Sequence, residues 1–324
     1  MSASSASATA PKGDATMFEL GSAVHAYSVA FDSGGQLWFV GGPVERTSVV
    51  GRLESDGSVI EYPIPGTTRS MYSASITEGP DGAMWFTDPY TGILGRASAS
   101  GKIAIQQLPP GGGPAQLVSG PDGALWFTIP RKDQIGRMTL SGELTQFQFA
   151  RHSGLTDIAV GPDGNIWFTL RKKSKIGRIT PLGERTLFSL PKTAPKHIAA
   201  GPGGLWFTEG YWDAPRGNNR LGLISTAGRV IQFKVPAKNG TGQLAVGADG
   251  RIWFTAGGAI GWMSPSGELG PRVCLDDHCW LPPSSLAVAP DGVLWFGTDL
   301  QTCGICGGGS AQALGYQSGW VGHL

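Results

Sequence analysis

Short apolar runs of three to six residues recur along the whole chain, separated by turn residues, with no helical spacing between them. The clearest stretch reads Gly120-Pro-Asp-Gly-Ala-Leu-Trp-Phe-Thr128, then Ile135-Gly-Arg-Met138, then Ser141-Gly-Glu-Leu-Thr-Gln-Phe-Gln-Phe149. It returns as Gly161-Pro-Asp-Gly-Asn-Ile-Trp-Phe-Thr169, Ile176-Gly-Arg-Ile179 and Gly183-Glu-Arg-Thr-Leu-Phe-Ser-Leu190. Trp-Phe marks each unit, at Trp38, Trp85, Trp126, Trp167, Trp206, Trp253 and Trp295, roughly every 40 residues. Each unit holds four β-prone runs, which we name A (Ile198-Ala-Ala200, for example), B (Leu-Trp-Phe), C (Ile-Gly-Arg) and D (the aromatic-aliphatic run). Asp-Gly ahead of B signals a tight hairpin, because glycine takes φ > 0 without a Cβ clash.

Seven such units predict one all-β domain, a seven-bladed β-propeller of four-stranded antiparallel blades. An open solenoid needs capping repeats at both ends, and the sequence offers none. The seventh unit has A (Ser285-Leu-Ala-Val288), B (Val293-Leu-Trp-Phe296) and C (Ala313-Leu-Gly-Tyr316), but Gln317 to Leu324 supply no D run. Met17-Phe-Glu-Leu20 has D character, so a ring closed by an N-terminal strand is expected. Residues 1–14, mostly small and polar, read as a flexible leader to a single propeller over 15–324.

Composition agrees: 51 Gly, 23 Pro and 11 Trp suit many short strands joined by turns. Only 15% of residues are charged and the net charge is +1, which argues against nucleic-acid or anionic-membrane coating. No apolar run is long enough to span a bilayer, and the first residues lack the apolar core of a secretory signal. A cytoplasmic monomer is expected, or an extracytoplasmic one if the start is processed or replaced.

The unit Gly-Pro-Asp-Gly-x-Leu/Ile-Trp-Phe-Thr followed by Ile-Gly-Arg resembles that of the streptogramin B (virginiamycin B) lyase family, over residues 15–316. The resemblance implies a seven-bladed propeller that opens cyclic depsipeptide antibiotics by elimination across the ester, with Mg²⁺. It also implies a Pro-His-x-Ile run in the A strands of units six and seven, with His eleven residues before Trp, and a Glu two residues before the second His. Those positions hold Gly242, Ser284 and Pro282 in this chain. None of the three can serve as the base or acid that elimination needs.

Two main readings follow. The protein binds a small-molecule or peptide ligand on its top face without the family's catalytic set. Alternatively it is a metal-dependent carbon–oxygen lyase working through displaced residues, with His197, Glu209 and His152 as candidates and Mg²⁺ as cofactor. A protein-interaction scaffold is a third. His197, in Pro195-Lys-His197, precedes a turn shortened by one residue (Gly201-Pro-Gly-Gly-Leu205), and its position sets it on the opposite strand face from the family histidine. Its first reading is as a strand histidine hydrogen-bonded between blades, ahead of catalysis.

The B–C and D–A loops share the top face. There Arg131, Lys132, Arg171, Lys172, Lys173, Lys175, Arg151, His152, Lys192 and Lys196 form a one-sided basic arc. It reads either as an attractor for carboxylate or phosphate or as a solvated loop set. Tyr211 and Trp212, in the longest B–C loop, suit a ligand platform or a small satellite cluster. With Arg171, Lys172 and Lys196 they make up the ligand-binding candidates. Cys274 and Cys279 (C-x4-C) and Cys303 and Cys306 (C-x2-C) lie in adjacent top-face loops, as a structural zinc site or as disulfides. Arg52, Arg96, Arg137 and Arg178 are expected to brace neighbouring blades.

Overall fold

The computed structural model of the chain describes residues 8–9, 15–20, 25–42, 47–67, 74–191, 193–210, 219–237, 240–274, 283–298 and 312–317. Apart from two single-turn 3-10 helices, Pro130–Lys132 and Arg171–Lys173, all regular elements among them are β-strands. Units one to six each form a four-stranded antiparallel sheet with the strands in chain order. In unit four these are Leu155–Val160, Ile166–Leu170, Lys175–Ile179 and Arg185–Ser189. In unit five they are Pro195–Gly201, Gly204–Glu209, Arg220–Ile224 and Val230–Lys234. The molecule is an all-β propeller of such blades.

The remaining sheet departs from the expectation of seven four-stranded blades. Six sheets have four strands and this one has five, ordered Ala8–Thr9, Ala15–Leu20, Gln312–Gln317, Leu294–Thr298, Pro283–Val288. Ala15–Leu20 runs antiparallel to Gln312–Gln317, from Ala15 opposite Gln317 to Leu20 opposite Gln312. Ala8–Thr9, within the stretch read as a leader, adds a short outer strand that pairs with Met17 and Phe18.

The repeat motif follows from packing inside and between sheets. Trp and Phe are adjacent on strand B, so they face opposite sides. The Phe ring lies over the glycine of Ile-Gly-Arg: Phe127 pairs with Gly136 and Phe168 with Gly177. A methyl group at Gly136 would come within 2.3 Å of the Phe127 ring, and one at Gly177 within 2.1 Å of Phe168. The Trp stacks on the D-strand aromatic of its own sheet, Trp126 on Phe147 at 5.5 Å and Trp167 on Phe188 at 5.3 Å. Beyond it lies the next unit: Trp126 packs with Ile158 and Phe168, Trp167 with Leu205 and Phe207, and Trp206 with Phe254.

The Asp of the Asp-Gly turn ties the Trp to the Arg of strand C. Asp122 accepts Trp126 Nε1 at 3.0 Å and Arg137 Nε at 2.7 Å, and Asp81 and Asp163 repeat the arrangement. In unit five the turn carries no Asp, Leu223 stands in place of the Arg, and Trp206 Nε1 donates to the Pro202 carbonyl at 3.0 Å. Arg52 and Arg178 do reach the next unit, donating to the carbonyls of Ala99 and Thr226. Arg96 and Arg137 do not. Among the described residues their guanidinium groups bond only the turn Asp of their own sheet, a correction to the expected brace.

Candidate functional site

Each A strand sets an aliphatic residue opposite the B-strand Phe: Ile158 with Phe168, Ile198 with Phe207, Leu244 with Phe254 and Leu286 with Phe296. The residue just before it is polar. Its N–H donates to the Thr of Trp-Phe-Thr, as Asp157 does to Thr169 (3.0 Å), His197 to Thr208 (3.1 Å) and Gln243 to Thr255 (2.9 Å). Its side chain reaches across to the next unit. Ser28 Oγ accepts the Ile76 N–H, Ser75 Oγ the Leu117 N–H and Asp157 Oδ2 the Ile198 N–H.

Between units four and five this hand-over becomes ionisable. His197 Nδ1 lies 3.3 Å from Asp157 Oδ2, and His197 is only 8% exposed. Its Nε2 is buried with no hydrogen-bond partner among the described residues. The carboxylate therefore orients the ring through Nδ1. Asp157 was not among the residues singled out from the sequence. The available signal was its place ten residues before Trp167, in line with Ser75 before Trp85 and Gln116 before Trp126.

The positions where the resemblance places catalytic groups lie one step earlier, two residues before the aliphatic. They are occupied by Gly242 in unit six and Ser284 in unit seven; the equivalent place in unit five, where the resemblance expects no catalytic group, holds Lys196. A side chain on Gly242 would start 2.4 Å from Thr255 Oγ1. Ser284 Oγ donates to the Ala26 carbonyl of unit one at 2.6 Å. Pro282 lies outside the described residues. Burial pushes the Lys196 amine below the usual lysine range, Arg171 adds to this, and Asp157 opposes it.

Glu209, at the end of the unit-five B strand, is 2% exposed. Gln232 Nε2 donates to both its oxygens, at 2.7 and 3.0 Å. Burial raises its pKa against the pull of Thr193, Gln232 and Arg220. No hydrogen bond or ion pair among the described residues joins Glu209, His152 and His197 to one another.

Part of the basic arc, Arg131, Lys132, Arg151, His152 and Lys172, lines a cavity; Lys192 lies outside the described residues. A cleft of about 690 Å³ opens between units three and four at the B–C and D–A end. Arg131 and Lys132 line it from the first 3-10 turn, Lys172 from the second, and Arg151 and His152 from the loop between. Its carboxylate, Asp133, is turned onto the chain, accepting from the His152 and Ser153 N–H groups and the Ser153 hydroxyl at 2.6–2.9 Å. Burial raises the Asp133 pKa, but those bonds outweigh it and hold the group below the usual range. His152 has φ 55°, a left-handed turn that aims its N–H at Asp133.

Of the ligand-binding candidates, Lys172 lines the cleft and Arg171 sits on the same turn, facing Lys196. Tyr211 and Trp212 lie outside the described residues, as do Cys279, Cys303 and Cys306; Cys274 ends the strand Leu269–Cys274. Among the described residues no three His, Cys, Asp or Glu side chains converge as a metal site would need.

The family model of the virginiamycin B lyases matches residues 2–150 and 110–299. Comparison with curated proteins gives no significant match. Among solved structures the chain is similar to a streptogramin B lyase, at 25% identity over 93% of this chain and 96% of that one, with a TM-score of 0.78. A catalytically inactive His-to-Ala variant of virginiamycin B lyase from Staphylococcus aureus, solved with quinupristin, matches at 25% identity over 94% and 99% with a TM-score of 0.80. A WD40 propeller domain matches at 13% identity over 93% and 95% with a TM-score of 0.68, a likeness of fold alone. With the Asp-Gly turn, the Trp-Phe strand and the Ile-Gly-Arg strand all accounted for, the chain belongs to the virginiamycin B lyase family.

Proposed function

We propose that the protein is a seven-bladed member of its family that binds a ligand at the B–C and D–A face and does not carry out the family's elimination. The observation that carries this is the content of the expected catalytic positions. Gly242 has no side chain and no room beside Thr255 for one, and the Ser284 hydroxyl is committed to Ala26. Neither can take a proton from the carbon α to the ester carbonyl or help the carboxylate leave. Among the described residues the donors a divalent cation needs are not gathered there either. The five-stranded sheet serves as the seventh blade. Support comes from the pairing of Ala15–Leu20 with Gln312–Gln317 and from the contacts of Trp295 with Phe31 of unit one and of Leu294 and Phe296 with Trp253 of unit six.

A second reading, a lyase with displaced groups, is favoured by one observation: the unit-five A strand carries Lys196 and an Asp157-oriented His197 side by side. In it, one of these bases removes the α-proton, the C–O bond breaks, and the electron pair leaves with the carboxylate. The test is incubation with a cyclic streptogramin B, with Mg²⁺ and with EDTA, followed by chromatography because elimination conserves mass. Binding without conversion is expected. Conversion that stops in EDTA and in His197→Ala would overturn the binding-only reading.

A further inference from the structure

We propose that the cleft between units three and four is a site for a small polyanion, a ligand carrying two or more phosphate or carboxylate groups. This deepens the top-face binding reading and rests on it. Four permanently cationic side chains, Arg131, Lys132, Arg151 and Lys172, line one cavity. Among the described residues none of the four forms an ion pair. The carboxylate among them, Asp133, accepts from the backbone and hydroxyl of the His152–Ser153 turn and pairs with none of the four, so the lining keeps an excess of positive charge, four cations against one carboxylate.

The cations come from three separate chain segments that face one another. That distribution suits a ligand with charge at more than one point; a single anion would answer only one wall. The volume, about 690 Å³, is in the range of small-molecule sites. Phe149 and Leu155 add apolar surface to the lining. Arg131 stacks over Tyr90 at 5.5 Å and Lys132 Nζ donates to the Pro110 carbonyl at 2.9 Å, both contacts to unit two, so among the described residues Arg151 and Lys172 are the cations of the lining without such a partner. Arginine adds a planar donor fork that matches either oxyanion.

The experiment is calorimetric titration of the intact protein with pyrophosphate and, separately, with citrate, at low and at physiological salt. One site per chain is expected, with affinity falling about tenfold or more in Arg151→Glu and in Lys172→Glu, and falling with salt. Arg229→Glu, an exposed charge reversal ahead of the unit-five D strand, should bind as the parent does. Pyrophosphate binding alone assigns a phosphate ligand, and citrate binding alone a carboxylate one. No heat with either probe, or equal losses in all three variants, overturns the site. The same variants are then titrated with the cyclic depsipeptide: if it binds while both anions fail, the top-face reading survives and only the polyanion site falls.

Discussion

Asp122 serves two partners at once, the indole of Trp126 and the guanidinium of Arg137, and so fixes the ring that the next unit packs against. Burial alone would raise its pKa. The bonds from Trp126 and Arg137 more than offset this, and Asp81 and Asp163 follow the same balance. A carboxylate held low in the folded state contributes stability above its unfolded value, and loses that contribution as pH falls through the folded one. Thermal stability should therefore drop on acidification below about pH 4. Asp122→Asn should cost about 1–2 kcal/mol at neutral pH and flatten that acid limb. Melting curves at stepped pH test both; an unchanged acid limb in the variant would remove the latch from the explanation.

At the scale of the strand, Ile-Gly-Arg is a packing motif before it is anything else. The glycine exists because a Phe ring from strand B lies against it, and Gly177→Ala should overpack the Phe168 ring at a cost of about 1–3 kcal/mol. Chemical denaturation with an unchanged slope would check this, and a neutral result would show that the ring can move aside. The same strands show how far the sequence could be read. Repeats and strand types were visible because turn glycines and recurring Trp-Phe pairs punctuate each unit. The Asp157–His197 pair was not, because it joins A strands of two units and depends on a turn shortened by one residue. Nor did the loop charges reveal a cavity. Arg131, Arg151 and Lys172 are distant in the chain and meet only when units three and four stand side by side.

For the whole molecule, the five-stranded sheet is where the proposed ring is joined. Removing residues 1–20 takes away both N-terminal strands and leaves the Gln312–Gln317 edge without its partner. An open strand edge is a template for further pairing. The truncated protein should melt at lower temperature and self-associate, as seen by scattering and sedimentation. A monomer of parental stability would sink the closure. The cleft between units three and four lies elsewhere in the chain, so its polyanion binding gives a separate measure of whether those units keep their arrangement.

The pairing of Ala15–Leu20 with Gln312–Gln317 also sets an order of events during synthesis. Units one to six can each form their sheet as they leave the ribosome, since their strands are neighbours in the chain. The strand Ala15–Leu20 emerges near the beginning and meets its partner only after almost everything else has been translated. Contacts of such long sequence separation are slow to form, and an edge left waiting is exposed to other nascent chains. Emergence of Gln312–Gln317 then sets the earliest moment at which this sheet can be completed.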